Sequence, residues 1–530
     1  MKPARLISGF LTVGVWTLLS RVLGFVRDIM IAGVLGTGAV AEAFFVAFAL
    51  PNMFRRFFAE GAFNMAFVPM FAKRLEAGED AEGFAREAFA GLASVLFVLT
   101  LLAQLVMPWL VLAMAGGFAG DERLTLAVGF GRIVFVYILL ISLAALLSGV
   151  LNALGRFAAA AAAPVMLNIV LVTMLWLGSQ GYLAEAVTLE ADAVAGLPGV
   201  HEGTILSWGV VLGGIAQLAL VWVAAARAGI RMRLRWPRMS PEMKRLAIIA
   251  APAALAGGVV QVNLLIGRQV ASFFDGAVAW LSYADRLYQL PLGVVGIAVG
   301  IVLLPELSRR LAAEDMEGGK SAFNRAMEFA LALTVPAAVA LMVIPGPLVS
   351  VLFERGAFDA ADTESTALAV AIYGLGLPAF VMQKAFQPLF FARADTKRPF
   401  YYAVVSMLVN AVVAIGLAPF VGFLAAAIGT TLAGWAMVVL LANGSRGLGE
   451  ATQIDDRLRR RTGRIILAAL IMGAILRGSY MLFEPAFSAP GLRYAALAAL
   501  VSLGIVSYFA VAHVLGAVRL SDLKGATRRG

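Results

Sequence analysis

The run Ser20-Arg21-Val22-Leu23-Gly24-Phe25-Val26-Arg27-Asp28 sets two guanidinium groups and a carboxylate in an otherwise apolar stretch. Glu42 opens a second such stretch, which continues through Leu50-Pro51-Asn52-Met53-Phe54-Arg55-Arg56 to Glu60-Gly61-Ala62-Phe63. A third carries Tyr283-Ala284-Asp285-Arg286-Leu287, and Lys384 stands alone in a fourth. Arginine stays charged at physiological pH and offers a planar fork of donors to oxyanions. Arg21, Arg27, Arg55 and Arg286 together therefore suit an anionic ligand, a diphosphate in particular. The competing reading pairs each of them with Asp28, Glu42, Glu60 or Asp285 as a tie between helices. Bases outnumber acids in these stretches, and an excess charge in an apolar setting needs a ligand or water, which favours binding. Arg56 and Glu60, at i and i+4, suit mutual neutralisation. Arg132, Arg268 and Lys384 are single.

These side chains need rigid elements to hold them. On a helix, at about 100° per residue, Arg21 and Asp28 share one face while Arg27 lies about 120° round, so the two arginines line adjoining walls. Pro51 removes a backbone donor and bends its helix beside Arg55. Hydrophobic residues make up 61% of the 530-residue chain and charged ones 14%, and mean hydropathy is +0.90. Soluble domains carry about 25% charged residues, so this chain lacks the polar surface to face water. It reads as an all-α polytopic membrane protein. A hydrocarbon core of about 30 Å takes about 20 residues of helix. Fourteen such stretches can be placed, near 6–35, 41–72, 84–115, 124–152, 158–179, 204–228, 244–273, 278–308, 323–353, 364–392, 399–418, 421–443, 464–483 and 493–516. The second, eighth and tenth contain prolines expected to kink them. Arg123, Arg355, Arg477 and Arg493 fall near outer helix ends, where a long side chain reaches the interface by snorkelling.

Thirty of the 42 lysines and arginines fall in the loops and tails on one side of this arrangement. The opposite loops are poor in base and often acidic, as at Glu185, Glu190, Asp192 and Glu202. Basic loops stay cytoplasmic, so both termini are expected there. Their net positive charge fits topology signals at anionic membrane lipid, not a nucleic-acid surface. There is no cysteine, and the two histidines, His201 and His513, lie far apart. That excludes disulfides and thiolate catalysis and argues against a catalytic metal. No nucleophile and base are paired, so transport fits better than an enzyme. The residue types call for no cofactor and do not choose among membrane potential, sodium and protons as a driving force.

The chain also repeats itself. Val68-Pro69-Met70-Phe71-Ala72-Lys73-Arg74-Leu75 matches Leu304-Pro305-Glu306-Leu307-Ser308-Arg309-Arg310-Leu311 at an offset of 236. Phe84-Ala85-Arg86 matches Phe323-Asn324-Arg325, and Gly117-Phe118 matches Gly356-Ala357-Phe358, at a nearly constant offset. The expected organisation is two pseudo-symmetric six-helix lobes, 1–230 and 240–445, followed at 446–530 by a basic linker and two extra helices. Parallel repeats of this kind build transporters that rock two bundles about a central site. Gly293, Gly296 and Gly300 have the small-residue spacing of close helix packing.

In these motifs the sequence resembles the MurJ (MviN) family of lipid II flippases, in the multidrug/oligosaccharidyl-lipid/polysaccharide exporter superfamily. The resemblance covers essentially the whole chain. It rests on Ser20 to Phe25 with Arg27-Asp28, on Ala43-Phe44-Phe45-Val46-Ala47-Phe48 through Leu50-Pro51-Asn52 to Ala59-Glu60-Gly61-Ala62-Phe63, and on Tyr283 to Leu287. It implies a V-shaped cationic cavity between the lobes and a groove for a polyprenyl tail at the final helix pair. It implies further that Arg21, Arg27, Arg55 and Arg286 are the cavity arginines, with Asp28, Glu42, Arg56, Glu60, Asp285 and Lys384 in support. The implied substrate is lipid II, flipped from the cytoplasmic to the periplasmic leaflet of the bacterial inner membrane by alternating access. Ala49 stands where relatives can carry a lysine, and Gln289 where they can carry a glutamate. The alternatives are a related polysaccharide-lipid or multidrug exporter, and a membrane scaffold recruiting cell-wall synthesis proteins. A cation-extruding pump would concentrate carboxylates where this chain concentrates arginines.

Overall fold

The structure, a computed structural model, describes residues 3–58, 62–183, 196–233, 236–489 and 491–518. At 3–11, 56–58, 62, 65, 251–262, 297, 298, 300–302 and 488 it describes the backbone alone. The Arg56 side chain and all of Glu60, Glu185, Glu190 and Asp192 lie outside the described residues. Among the described residues there is no strand, and the elements in chain order are helices α1 (Pro3–Leu35), α2 (Ala39–Phe58), α3 (Ala62–Ala77), α4 (Ala81–Met114), α5 (Glu122–Val134), α6 (Tyr137–Ala153), α7 (Phe157–Ser179) and α8 (Val200–Arg227). They continue as α9 (Pro241–Ala271), α10 (Ala277–Ala312), α11 (Met316–Val343), α12 (Pro345–Phe353), α13 (Ala360–Phe391), α14 (Lys397–Val421), α15 (Leu424–Ser445), α16 (Asp456–Ser488) and α17 (Leu492–Val514).

Ten helical runs among the described residues are long and apolar enough to cross a bilayer. The chain is thus a multi-pass membrane protein. The ten do not include α1, α2, α9 or α10, the helices that carry Arg21, Arg27, Arg55, Arg268 and Arg286. Three of the expected spans are each described as two helices. Residues 59–61, between α2 and α3, lie outside the described residues. α5 gives way to α6 at Phe135 and Val136, and α11 stops at Ile344 before Pro345. Proline lacks the N–H that would continue a helix but suits its first turn, so Pro345 ends α11 and starts α12. By contrast α2 runs through Pro51, α10 through Pro291 and Pro305, and α13 through Pro378 and Pro388.

Helix starts follow from capping chemistry. The first N–H groups of a helix have no intrahelical acceptor, and a short polar side chain just ahead supplies one. The Gly83 N–H donates to Asp80 at 2.7 Å ahead of α4, and the Gly318 N–H donates to Asp315 at 2.8 Å ahead of α11. These two caps stand at equivalent places in the repeat. The repeat pairs elsewhere match too: Phe84 and Phe323 are fully buried, as are Phe118 and Phe358.

The helices pack as two compact units, Met1–Ala279 with Arg355–Phe358, and Trp280–Glu354 with Asp359–Gly530. The division falls after the start of α10, so α9 belongs with the first unit. There α1 packs on α7, α7 on α8, α8 on α6, α2 on α5, and α3 on both α6 and α9. Phe67 stacks against Phe63, Phe71 and Phe84 at the centre of α3. In the second unit α11 packs on α13 and α16, α13 on α15, α15 on α14, and α16 on α17. Apolar side chains still face outward in quantity, including Leu105, Trp109, Val412 and Phe420. Lipid is as apolar as a protein core, so helix contacts here depend on close packing and buried polar ties.

Candidate functional site

The first unit carries Arg21, Arg27, Asp28, Glu42 and Arg55, and the second carries Asp285, Arg286 and Lys384. The arginines separate into two environments. Arg27 is buried, 7% exposed. Its Nε and Nη2 donate to Asp28 Oδ1 at 3.0 and 2.7 Å, and its Nη1 donates to Asn168 Oδ1 on α7 at 2.9 Å. Asn168 in turn donates through Nδ2 to the Ser20 carbonyl at 2.9 Å. The Arg27 guanidinium also lies 5.9 Å from the centre of the Phe48 ring on α2. This network pins α1 to α7 across 141 residues of chain. Gly24 faces Asn168, where an added Cβ would make only ordinary contact at 3.5 Å. Arg21 and Arg55, on α1 and α2, are only half-buried.

Sequence spacing put Arg21 and Asp28 on one face of α1 with Arg27 about 120° round, yet the structure joins Arg27 to Asp28 itself. Adjacent side chains on a helix diverge by about 100°, but a long guanidinium can fold back over that angle. Asn168 was missed. The available signal was a lone amide within an apolar run, a residue type that bonds across helices in lipid.

Glu42 is buried at 1% exposure and holds a different constellation. Its Oε2 accepts from Arg123 Nη1 at 3.0 Å, and its Oε1 accepts from the Val278 backbone N–H at 2.9 Å. Arg123 also donates through Nε to Asp121 at 2.6 Å and pairs through Nη2 with Asp275 at 3.0 Å. Its guanidinium lies 4.7 Å from the Phe118 ring centre. The snorkelling expected of Arg123 is therefore corrected: it is buried, 6% exposed. Three carboxylates and an aromatic face gather round it, and that set satisfies a guanidinium better than a reach to the interface.

Two glycine loops flank this network with matching geometry. The Gly116 N–H donates to Gln269 Oε1 at 3.0 Å and the Gly117 N–H to Ser272 Oγ at 2.9 Å, which ties the α4–α5 loop to the end of α9. A Cβ on Gly117 would meet the Ser272 carbonyl oxygen at 2.3 Å. The repeat-equivalent segment, Arg355–Phe358, lies on the end of α1, where the Ala357 N–H donates to the Gly33 carbonyl at 2.9 Å. Gly36, at φ +62°, faces the Ala357 carbonyl oxygen so closely that a Cβ would meet it at 2.4 Å. The α4–α5 loop thus clasps the end of α9, and the Arg355–Phe358 segment clasps the end of α1. The motif match Gly117-Phe118 with Gly356-Ala357-Phe358 was legible; the partners were not.

In the second unit Asp285 and Arg286 are half-buried on α10. Gln289, one turn on, donates its amide to Asp285. A glutamate at that place could not donate to Asp285 unless it were protonated. Tyr288 packs on Tyr373 and Phe380 of α13, with ring centres 5.0 and 5.7 Å apart. Trp280 donates its indole N–H to Asp362 at 2.9 Å, a polar tie from α10 to α13. Lys384 is exposed on α13, and its stem passes Gly296 of α10, where a Cβ would lie 3.7 Å from the lysine Cγ.

The model of the lipid II flippase MurJ family matches residues 31–492. The chain belongs to that family. A probable lipid II flippase MurJ of Rhizobium meliloti (strain 1021) is 46% identical over 535 residues, covering 99% of this chain and 97% of the relative. Among solved structures, a lipid II flippase MurJ in an inward closed conformation superposes with a TM-score of 0.77 at 23% identity, covering 95% of this chain and 98% of that one. A multidrug resistance MATE family transporter of the MOP superfamily, in an inward-facing conformation, gives 0.63 at 14% identity over 82% and 95%. The two likenesses share a fold, and the MurJ family membership sets this chain among lipid flippases and not among catalytic enzymes.

Proposed function

We propose that this chain moves lipid II from the cytoplasmic to the periplasmic leaflet of the bacterial inner membrane by alternating access. The observation that carries the reading is the family match over residues 31–492, and the arginines set in otherwise apolar helices give it a chemistry. On this reading Arg21, Arg55 and Arg286 bind the diphosphate. Arg27 serves the same site by holding α1 in place through Asp28 and Asn168. A dianion drawn to permanently charged forks makes contacts that differ between states, which any conformational coupling requires. The basic loops face the cytoplasm and meet anionic lipid, with both termini on that side and the repeats forming lobes 1–230 and 240–445. The reading involves no cofactor.

On this reading the glycine clasps and the Glu42 network close the periplasmic side, and the outward state must release them. Gly36→Ala and Gly117→Ala should each weaken that closure. Cysteine pairs placed across the clasps, in a chain that has none of its own, should then cross-link several-fold more slowly than in the parent. Unchanged rates would remove the clasps from the gate.

The direct test measures lipid II on the outer leaflet with an external enzyme that cleaves its head group, in cells depleted of their own flippase. The intact chain should restore cleavage, and Arg286→Ala should reduce it at least ten-fold with equal protein in the membrane. Full cleavage with Arg286→Ala would sink the diphosphate assignment. No cleavage with either form would favour a related exporter.

A further inference from the structure

A groove of about 420 Å³ runs between α11 and α16, both in the second unit. Val339, Met342 and Val343 line one wall, and Leu470, Gly473 and Ala474 the other, with Arg477 at its end. Gly473 brings the helices together there, since a Cβ would meet Val339 at 2.7 Å. Leu470 remains 57% exposed, so the groove opens outward and not into the core.

The depth of Arg477 is the informative feature. Thirteen residues separate it from Arg464, the last base of the linker run, which is about 20 Å of helix. With Arg464 at one face of a core about 30 Å thick, the Arg477 backbone stands about 10 Å inside the other. A guanidinium at such a depth needs a partner or a path to the headgroups. Arg477 makes no ion pair among the described residues, and its guanidinium lies 6.0 Å from the centre of the Tyr480 ring. Glu484 lies two helical turns further along.

We propose that this groove is a binding site for an anionic glycerophospholipid of the periplasmic leaflet, with the phosphate on Arg477 and one acyl chain along the aliphatic walls. Charge complementarity selects the occupant: one arginine matches one phosphate, whereas the diphosphate of the transported lipid is matched by several arginines elsewhere. The walls carry no polar group to hold anything but a hydrocarbon chain, and the volume suits a single acyl chain better than a long polyprenyl tail. The proposal concerns a resident lipid and rests on the membrane orientation given above. A lipid seated here bridges α11 to α16 at the end opposite their ion pairs.

The test places the full chain in phosphatidylcholine nanodiscs doped with phosphatidylglycerol that carries a photoactivatable acyl chain. Cross-links are then mapped on peptides covering 339–343 and 470–477. Both segments should be labelled, Arg477→Ala should reduce labelling about five-fold, as removal of one phosphate contact from an arginine implies, and Arg477→Lys should retain most of it. Ala474→Phe, which fills the groove and leaves the arginine, should lower labelling as well. Equal labelling of the parent and Arg477→Ala would overturn the proposal. So would displacement of the label by a polyprenyl diphosphate at lower mole fraction than unlabelled phosphatidylglycerol, which would give the groove to the transported lipid. Thermal unfolding of each variant separates loss of site from loss of fold, and activity in the leaflet assay distinguishes this idea from the flippase reading.

Discussion

Two buried ion networks, one in each unit, solve the same problem in opposite ways. Around Glu42 in the first unit, a single base, Arg123, is shared by Glu42, Asp121 and Asp275. In the second unit a single acid, Glu328 at the foot of α11, is shared by Arg325, Arg457 and Arg461. Arg325 also pairs with Asp455, the cap of α16, and the Asp455 N–H donates to Asn324 at 3.0 Å. The first network joins α2, the start of α5 and the turn between α9 and α10; the second fastens α16 to α11. The difference matters because a surplus carboxylate can take up a proton, whereas a surplus guanidinium cannot lose one. The acid-rich network can therefore relax when its base is lost, but the base-rich one has no such escape.

The largest effect should follow from Glu328→Ala, which leaves buried Arg461 facing two further guanidinium groups. Breaking a buried pair in this way costs about 3–5 kcal/mol. The unfolding midpoint in detergent should drop accordingly, and limited proteolysis should cut first in the linker ahead of α16. Arg123→Ala should cost less, about 1–3 kcal/mol, because Glu42 can protonate and keep the Val278 N–H as a partner. Equal losses in the two variants would break the comparison. Arg457→Ala removes one of three bases from Glu328, and this side chain is 47% exposed. Its loss should change stability by no more than about 1 kcal/mol, which separates the role of the shared acid from that of any one arginine.

The smallest effect belongs to a half-buried pair outside the membrane spans, Arg74 and Glu242, at 3.1 Å between α3 and α9. The backbone N–H at the start of α9 holds the Glu242 carboxyl below its usual value near 4.5, helped by the Ser240 hydroxyl and by Arg74. A depressed carboxylate contributes stability that is present above its unfolded value and lost as pH falls through the folded one. The tie should therefore persist at neutral pH and weaken only below about 4.5. Glu242→Gln should flatten that acid limb of the stability curve, and added salt should shrink the difference further. A loss of stability between pH 6 and 8 that Glu242→Gln removes would contradict this sign.

Much of the architecture was readable in one dimension. Hydropathy marks helices in lipid because each must satisfy its own backbone and face hydrocarbon, and the ten apolar runs follow that rule. The motif match at a nearly constant offset was visible in the sequence, and Asp80 and Asp315 cap the helices that follow the matched motifs. The candidate site was legible as a set of misplaced charges but not as a set of partners. Arg27 and Asp28 looked like two lining groups and are joined instead in one pin on Asn168; Arg123 looked like a terminal snorkeller and is the centre of a network.

By itself, then, the sequence determined the membrane class, the apolar helical runs and the excess of arginine over acid in apolar stretches. These depend on composition and local periodicity, which are written residue by residue. Only the tertiary structure decided which charges are consumed internally and which stay half-buried, because the partners lie far apart in the chain. Arg27 meets Asn168 across 141 residues, Arg123 meets Glu42 across 81, and Arg461 meets Glu328 across 133. An arginine is equally at home on an acid, an amide or a phosphate, so its side chain carries no mark of the choice. Helix packing makes that choice by bringing one acceptor within hydrogen-bond reach and leaving the others out of range.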